Sequence, residues 1–166
     1  MHPGTAFGTV FLTESKNVIG MDEIVTIAQP LELSRIVVSA TWLDVLDRRK
    51  PTGAWNLLID TGSSTEQLKV IDFGLGLTEI LGGVAVLGDA DINVRCPAEW
   101  RFYLNRADTQ EALTEVLGIN DEAIDAVIAR IPDAWRHDAP RLSEMAEYLK
   151  RRRDSLASVL QAGGLL

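Results

Sequence analysis

The sequence predicts an α+β chain that is mainly helical and carries one β-hairpin. Three observations lead there. Apolar residues recur at helical spacing between Leu33 and Asp47 and again through the last third of the chain. Two short apolar runs, Leu57-Leu58-Ile59 and Leu68-Lys69-Val70-Ile71, flank the turn-rich segment Asp60-Thr61-Gly62-Ser63-Ser64. Residues that cap helices stand before the later periodic runs. With 166 residues, 46% hydrophobic and 24% charged, a single domain spanning residues 1–166 is long enough to bury a real core.

In chain order, Gly4 to Leu12 has two glycines but neither a following Gly-Lys-Ser/Thr nor a third glycine. It therefore reads as a surface segment or short strand rather than a phosphate cradle. From Leu33 to Asp47, Ile36, Val37, Ala40, Leu43 and Leu46 form one apolar helical face, so the helix is expected to deliver Asp47 at its C-terminal end. Asp44 lies three residues earlier on nearly the same face, where it reads as a structural, solvated residue or as one that orients Arg48. The two apolar runs are expected to pair antiparallel, which brings Asn56 at the start of the first close to Asp72 at the end of the second. Leu75 to Gly88 is apolar but broken by glycines, hence a loop with short regular pieces. Asp108 with Glu111 resembles a capping box that opens a helix through Leu117, and Asn120 caps another through Arg130. Pro132 separates that helix from a long last one marked by Leu142, Met145, Leu149 and Leu156, with Trp135 packed between them. Lys150-Arg151-Arg152-Arg153, followed by Asp154, reads as a solvated helical face open to an acidic partner.

Charge and composition exclude several classes. A net charge of −8 and a pI near 4.7 disfavour nucleic acid as a partner, because neutralising phosphates takes a basic surface. Cys96 is the only cysteine, so no internal disulfide forms. With only His2 and His137 beside it, no Cys/His zinc site forms either, and neither histidine is assigned a catalytic role. The thiol suits a reducing cytoplasm. The N-terminal residues lack a basic segment followed by an apolar core, and no run reaches the roughly 20 apolar residues of a membrane span, so neither secretion nor membrane insertion is expected.

The residues that carry chemistry lie between Asp47 and Asp72. Asp47-Arg48 opens a loop, Asn56-Leu57-Leu58-Ile59-Asp60 closes it on an apolar strand, and Ile71-Asp72-Phe73-Gly74 follows a second strand. Each of these residues alone is an ordinary turn former. Together, in this order, they match the catalytic-loop Asp, the metal-binding Asn and the Asp-Phe-Gly metal ligand of phosphoryl-transfer enzymes. Phosphoryl transfer asks for position and charge compensation. Magnesium, which keeps several waters, needs little more than one amide oxygen and one carboxylate, here Asn56 and Asp72. Asp47 would orient the acceptor hydroxyl and take its proton, while Arg48 or Lys50 would steady phosphate charge. Trp55 reads as a packing residue.

On these motifs the chain resembles the C-terminal lobe of the HipA-like kinases, bacterial relatives of the protein-kinase fold. The resemblance also includes Gly4-x-x-Phe7-Gly8, Trp42, Ile131-Pro132-x-x-Trp135 and Leu149-x-Arg151-Arg152, and covers nearly the whole chain. It implies an ATP- and Mg2+-dependent kinase, in some members a toxin acting on protein substrates. Asp47 and Asn56 stand nine positions apart, against five in the ordinary kinase loop, so a bulge at Pro51 and Gly53 is expected. Nothing before Gly4 supplies a glycine-rich loop or strand lysine. The expectation is therefore a separately encoded small-lobe subunit, a homo-oligomer that covers the exposed face, or an inactive pseudokinase or scaffold in a toxin–antitoxin or regulatory assembly. A free-standing phosphotransferase for a small molecule is the weaker enzyme reading.

Overall fold

The computed structural model describes residues 14–18, 20–45, 56–62, 66–70, 93–131 and 139–166. Within them the chain is α+β and mostly helical, with one small antiparallel sheet, as its periodicities predict. The elements are β1 (Ser15–Asn17), α1 (Met21–Ile27), α2 (Pro30–Trp42), β2 (Leu57–Asp60) and β3 (Gln67–Val70). A 3-10 helix (Ala98–Tyr103) follows, then α3 (Arg106–Leu117), α4 (Asp121–Ala129) and α5 (Ala139–Ala162). The expectations for the N-terminal glycines, the 75–88 segment, Pro132, Trp135 and both histidines concern residues outside this set.

The expected hairpin is present. β2 pairs antiparallel with β3, Leu57 facing Val70 and Asp60 facing Gln67. Side chains alternate along β2, with Leu57 and Ile59 fully buried and Leu58 and Asp60 half-buried, as a strand with one face on a core requires. Burying two such side chains contributes about 1.5–3 kcal/mol each. The Asp60 carboxylate accepts from the Gly62 N–H at 3.1 Å, which starts the connection to β3. A third strand, not anticipated from the sequence, covers the other edge: β1 pairs antiparallel with β2, Lys16 opposite Ile59. At three residues, β1 is too short to show a period.

Two helix boundaries differ from expectation. The first long helix starts at Pro30 and stops at Trp42, five residues short of Asp47. Proline is suited to the first helical position because its missing N–H would be unpaired there anyway, and Glu32 accepts from the Gln29 N–H at 3.0 Å. The stop comes from Asp44, which takes a left-handed backbone conformation (φ 52°). In α3 the cap is Asn105 rather than Asp108. The Asn105 carboxamide oxygen accepts from the Asp108 N–H at 2.9 Å, its NH2 group donates to the Asp108 carboxylate, and its own backbone is extended. Asp108 is thus the third helical residue, where a negative charge favours the helix N-terminus. The Asn120 cap of α4 is as expected, accepting from the Ala123 N–H at 2.9 Å.

One apolar cluster joins Ile24 of α1, Leu33, Val37 and Val38 of α2, Leu57 and Ile59 of β2, and Trp100. It continues through Leu113 of α3 to Leu156 and Leu160 of α5. A second gathers Ile124 of α4 with Met145, Tyr148 and Leu149 of α5. Trp42 packs against both, and its indole N–H donates to the Leu149 carbonyl at 2.9 Å, tying the end of α2 to the middle of α5. Among the described residues no helix is long and apolar enough to cross a membrane.

Candidate functional site

The end of α2, a few residues before Asp47, is fixed by hydrogen bonds and charge. A helix leaves its last four carbonyls without intrahelical partners; here every one of them is met. Ser39 O accepts from the Leu43 N–H at 2.8 Å, and Ala40 O from the Val45 N–H at 2.9 Å. Thr41 O accepts from the Asp44 N–H at 3.4 Å and from the Arg152 guanidinium, and Trp42 O from Arg152 Nε at 2.7 Å. The backbone bonds of Asp44 and Val45 make a Schellman turn, which needs a left-handed residue where Asp44 stands. Glycine fills that place without steric cost, whereas another residue pays on the order of 1 kcal/mol.

Asp44 has a side-chain role that glycine lacks. It is 3% exposed, and its Oδ1 accepts from Arg95 Nε at 2.8 Å and Arg95 Nη2 at 2.7 Å, with Arg152 Nη2 at 3.5 Å. The expectation of a solvated Asp44 is therefore corrected: burial without these cations would strand a charge in low dielectric. Arg95 is held in turn by its backbone, whose N–H donates to Thr41 Oγ1 at 3.1 Å.

The reading of Lys150 to Arg153 as a solvated face is corrected as well. Only Arg151 is exposed. Arg152 is 2% exposed; besides its bonds to α2 it donates to the Tyr148 hydroxyl at 3.0 Å and lies over that ring, 5.3 Å from the centroid. A cation against the last carbonyls of α2 also complements the helix dipole. Arg153 donates to the Ile119 carbonyl at 2.7 Å and pairs with Asp121 and Asp154, contacts that raise its pKa. Lys150 binds Asp125 and Glu147, whose hydrogen bonds raise its pKa. These arginines and the lysine hold helices together.

Of the residues expected to perform chemistry, Asn56 is described. It is buried, 1% exposed, one position before β2. Since Leu57 faces Val70, Asn56 enters β2 at the end of the hairpin where β3 terminates. Asp72, the second expected metal ligand, lies outside the described residues, as do Asp47, Arg48 and Lys50. Among the described residues, no three His, Cys, Asp or Glu side chains gather as a metal site. An amide oxygen is a hard ligand, so the described member of the pair has the donor chemistry magnesium takes.

Cys96, next to Arg95, is half-buried and donates to the Pro97 carbonyl at 3.4 Å. Burial pushes its thiol up to about 11, against a smaller opposing pull from Arg101. The proton is therefore retained at neutral pH, where only the thiolate is nucleophilic. Labelling of the native chain by an aromatic disulfide at pH 7.5 should run about a hundredfold slower than that of a free cysteine, rise with pH toward 11, and become fast in urea. Native labelling at the free-thiol rate would show the burial to be wrong.

No family model, curated protein or solved structure matches the chain.

Proposed function

We propose that the chain is the large lobe of a HipA-like kinase, which contributes Asp47, Asn56 and Asp72 to ATP-dependent phosphoryl transfer in the cytoplasm. The observation that carries this reading is the register of β2 on β3, with buried Asn56 at the hairpin end from which the chain continues toward Asp72. The strand that follows Asn56 and the strand that precedes Asp72 in sequence are thus paired neighbours in one sheet, which supports the reading. The firm end of α2, a short distance before Asp47, is consistent with the same reading.

In this reading the Asn56 amide oxygen and the Asp72 carboxylate hold Mg2+, which when bound offsets charge on the nucleotide phosphates. The Asp47 carboxylate orients the acceptor hydroxyl and accepts its proton as that oxygen bonds to phosphorus and the bond to the nucleotide breaks. Arg48 or Lys50 steadies the phosphate oxygens. A glycine-rich loop and strand lysine lie outside these residues and would be supplied by a small-lobe subunit, while a homo-oligomer would only cover the exposed face.

Calorimetry with ATP and magnesium tests this. The chain should give saturable, magnesium-dependent heat that Asp72→Ala abolishes. Co-expressed with any small protein encoded beside it, it should transfer labelled phosphate, and Asp47→Ala should slow transfer about 10²–10⁴-fold. No heat and no transfer from the unaltered protein would overturn the kinase reading in favour of a pseudokinase scaffold.

A further inference from the structure

We propose that the cavity between the 3-10 helix, the start of α3 and the turn after α5 binds a small organic anion, a phosphate or carboxylate head on a short apolar tail. The cavity holds about 370 Å3, within the size range of small-molecule sites, and Arg101, Arg106, Leu104, Leu165 and Leu166 are among the residues that line it. Two cations and an apolar wall thus face one space. Arg35, Arg95, Arg152 and Arg153 each meet a carboxylate. Among the described residues Arg101 and Arg106 meet none, although the chain carries 24 acidic residues against 16 lysines and arginines. Asp108, the acid nearest to Arg106 in sequence, is held by the Asn105 NH2 group. Arg101 Nη1 donates to the Gly163 carbonyl at 2.7 Å, which fixes the guanidinium and leaves its Nε and Nη2 hydrogens for the two oxygens of a ligand. The apolar wall is preformed. Gly164 turns the chain back at φ 71°, the Leu165 N–H donates to Leu160 O at 2.9 Å, and the Leu165 side chain is buried in the larger apolar cluster, with Leu104 and Leu166 packed against it. A Cβ on Gly163 would stand 2.3 Å from Val94 Cγ2, so this close approach requires glycine. The kinase reading uses none of these residues, and the two proposals stand or fall separately.

The test titrates the isotope-labelled full chain with hexyl phosphate, hexanoate and, as a neutral comparison, hexanol, and follows the backbone amides by nuclear magnetic resonance. At least one anion should shift the amides of Arg101, Arg106 and Leu165 and saturate with a Kd of about 1 mM or tighter, and the anion that does so identifies the head group. Hexanol should leave them nearly unmoved. Arg106 is exposed and holds no other described group, whereas Arg101 also holds Gly163, so Arg106→Gln is the cleaner variant and should weaken binding about tenfold. Arg106→Lys, which keeps the charge without the fork, should lose less. Phe102→Ala, beside Arg101 but not part of the lining, should bind as the unaltered chain does. No saturable shift with either anion, an equal response to hexanol, or full affinity in folded Arg106→Gln overturns the proposal. The hexanol comparison decides it on the unaltered chain, whatever the variants do.

Discussion

Arg152→Met lowers the unfolding free energy by about 3–5 kcal/mol, the range expected when one partner is taken from a buried, hydrogen-bonded charge pair. The loss has identifiable parts. The Trp42 carbonyl loses the Arg152 Nε–H, and the Thr41 carbonyl keeps only the long bond from the Asp44 N–H. The buried Asp44 carboxylate keeps Arg95 alone. Methionine fills much of the stem volume, so the loss is polar rather than a cavity. Urea unfolding followed by circular dichroism measures it as a lower midpoint, and the melting temperature should fall by about 10 °C. The neighbour Arg151 is exposed, so Arg151→Met is the control and should stay within about 0.5 kcal/mol. If the two variants melt alike, Arg152 is a surface residue and the clamp does not exist. A cycle with Asp44→Asn should be non-additive, because both changes break one network.

Trp100→Ala is the second large effect, about 3–5 kcal/mol. The indole is fully buried within the 3-10 helix and belongs to the cluster that joins α1, α2, β2, α3 and the last turns of α5. Truncation removes the largest of the fully buried side chains among the described residues, where several elements meet, and a space that size closes only in part. The same urea titration checks it. Phe102, two residues on and 88% exposed, supplies the comparison: Phe102→Ala should shift the midpoint little. A small loss for Trp100→Ala would mean that the 3-10 helix does not dock on the core.

What was legible in the sequence followed from local rules. The β2–β3 hairpin was readable because apolar runs of strand length flanked a segment of turn formers, and the α4 cap because Asn120 stood directly before an apolar period. The cap of α3 was misplaced by three residues because Asn105, Asp108 and Glu111 repeat at the same spacing. Asn105 and Asp108 can each act as a cap with an acid three residues later, and only the extended backbone at Asn105 selects it. The buried arginine left a signal that composition masked. Met145, Leu149, Arg152, Leu156 and Leu160 follow one another at spacings of four, three, four and four, so Arg152 lies in the apolar stripe of α5. Inside a run of four cations it reads as surface, since an arginine stem can lie along apolar groups while its head reaches water. Nothing near Asp44 in sequence hinted at Arg95, which is 51 residues away.

The sequence by itself determined the α+β class, the hairpin and most helices, because periodicity and turn chemistry act over a few neighbouring positions. Only the tertiary structure decided where α2 ends and which charges are buried. Both depend on one carboxylate meeting two guanidinium groups from remote segments in a place without water, and the energy of that meeting belongs to the packed chain rather than to any local stretch of it.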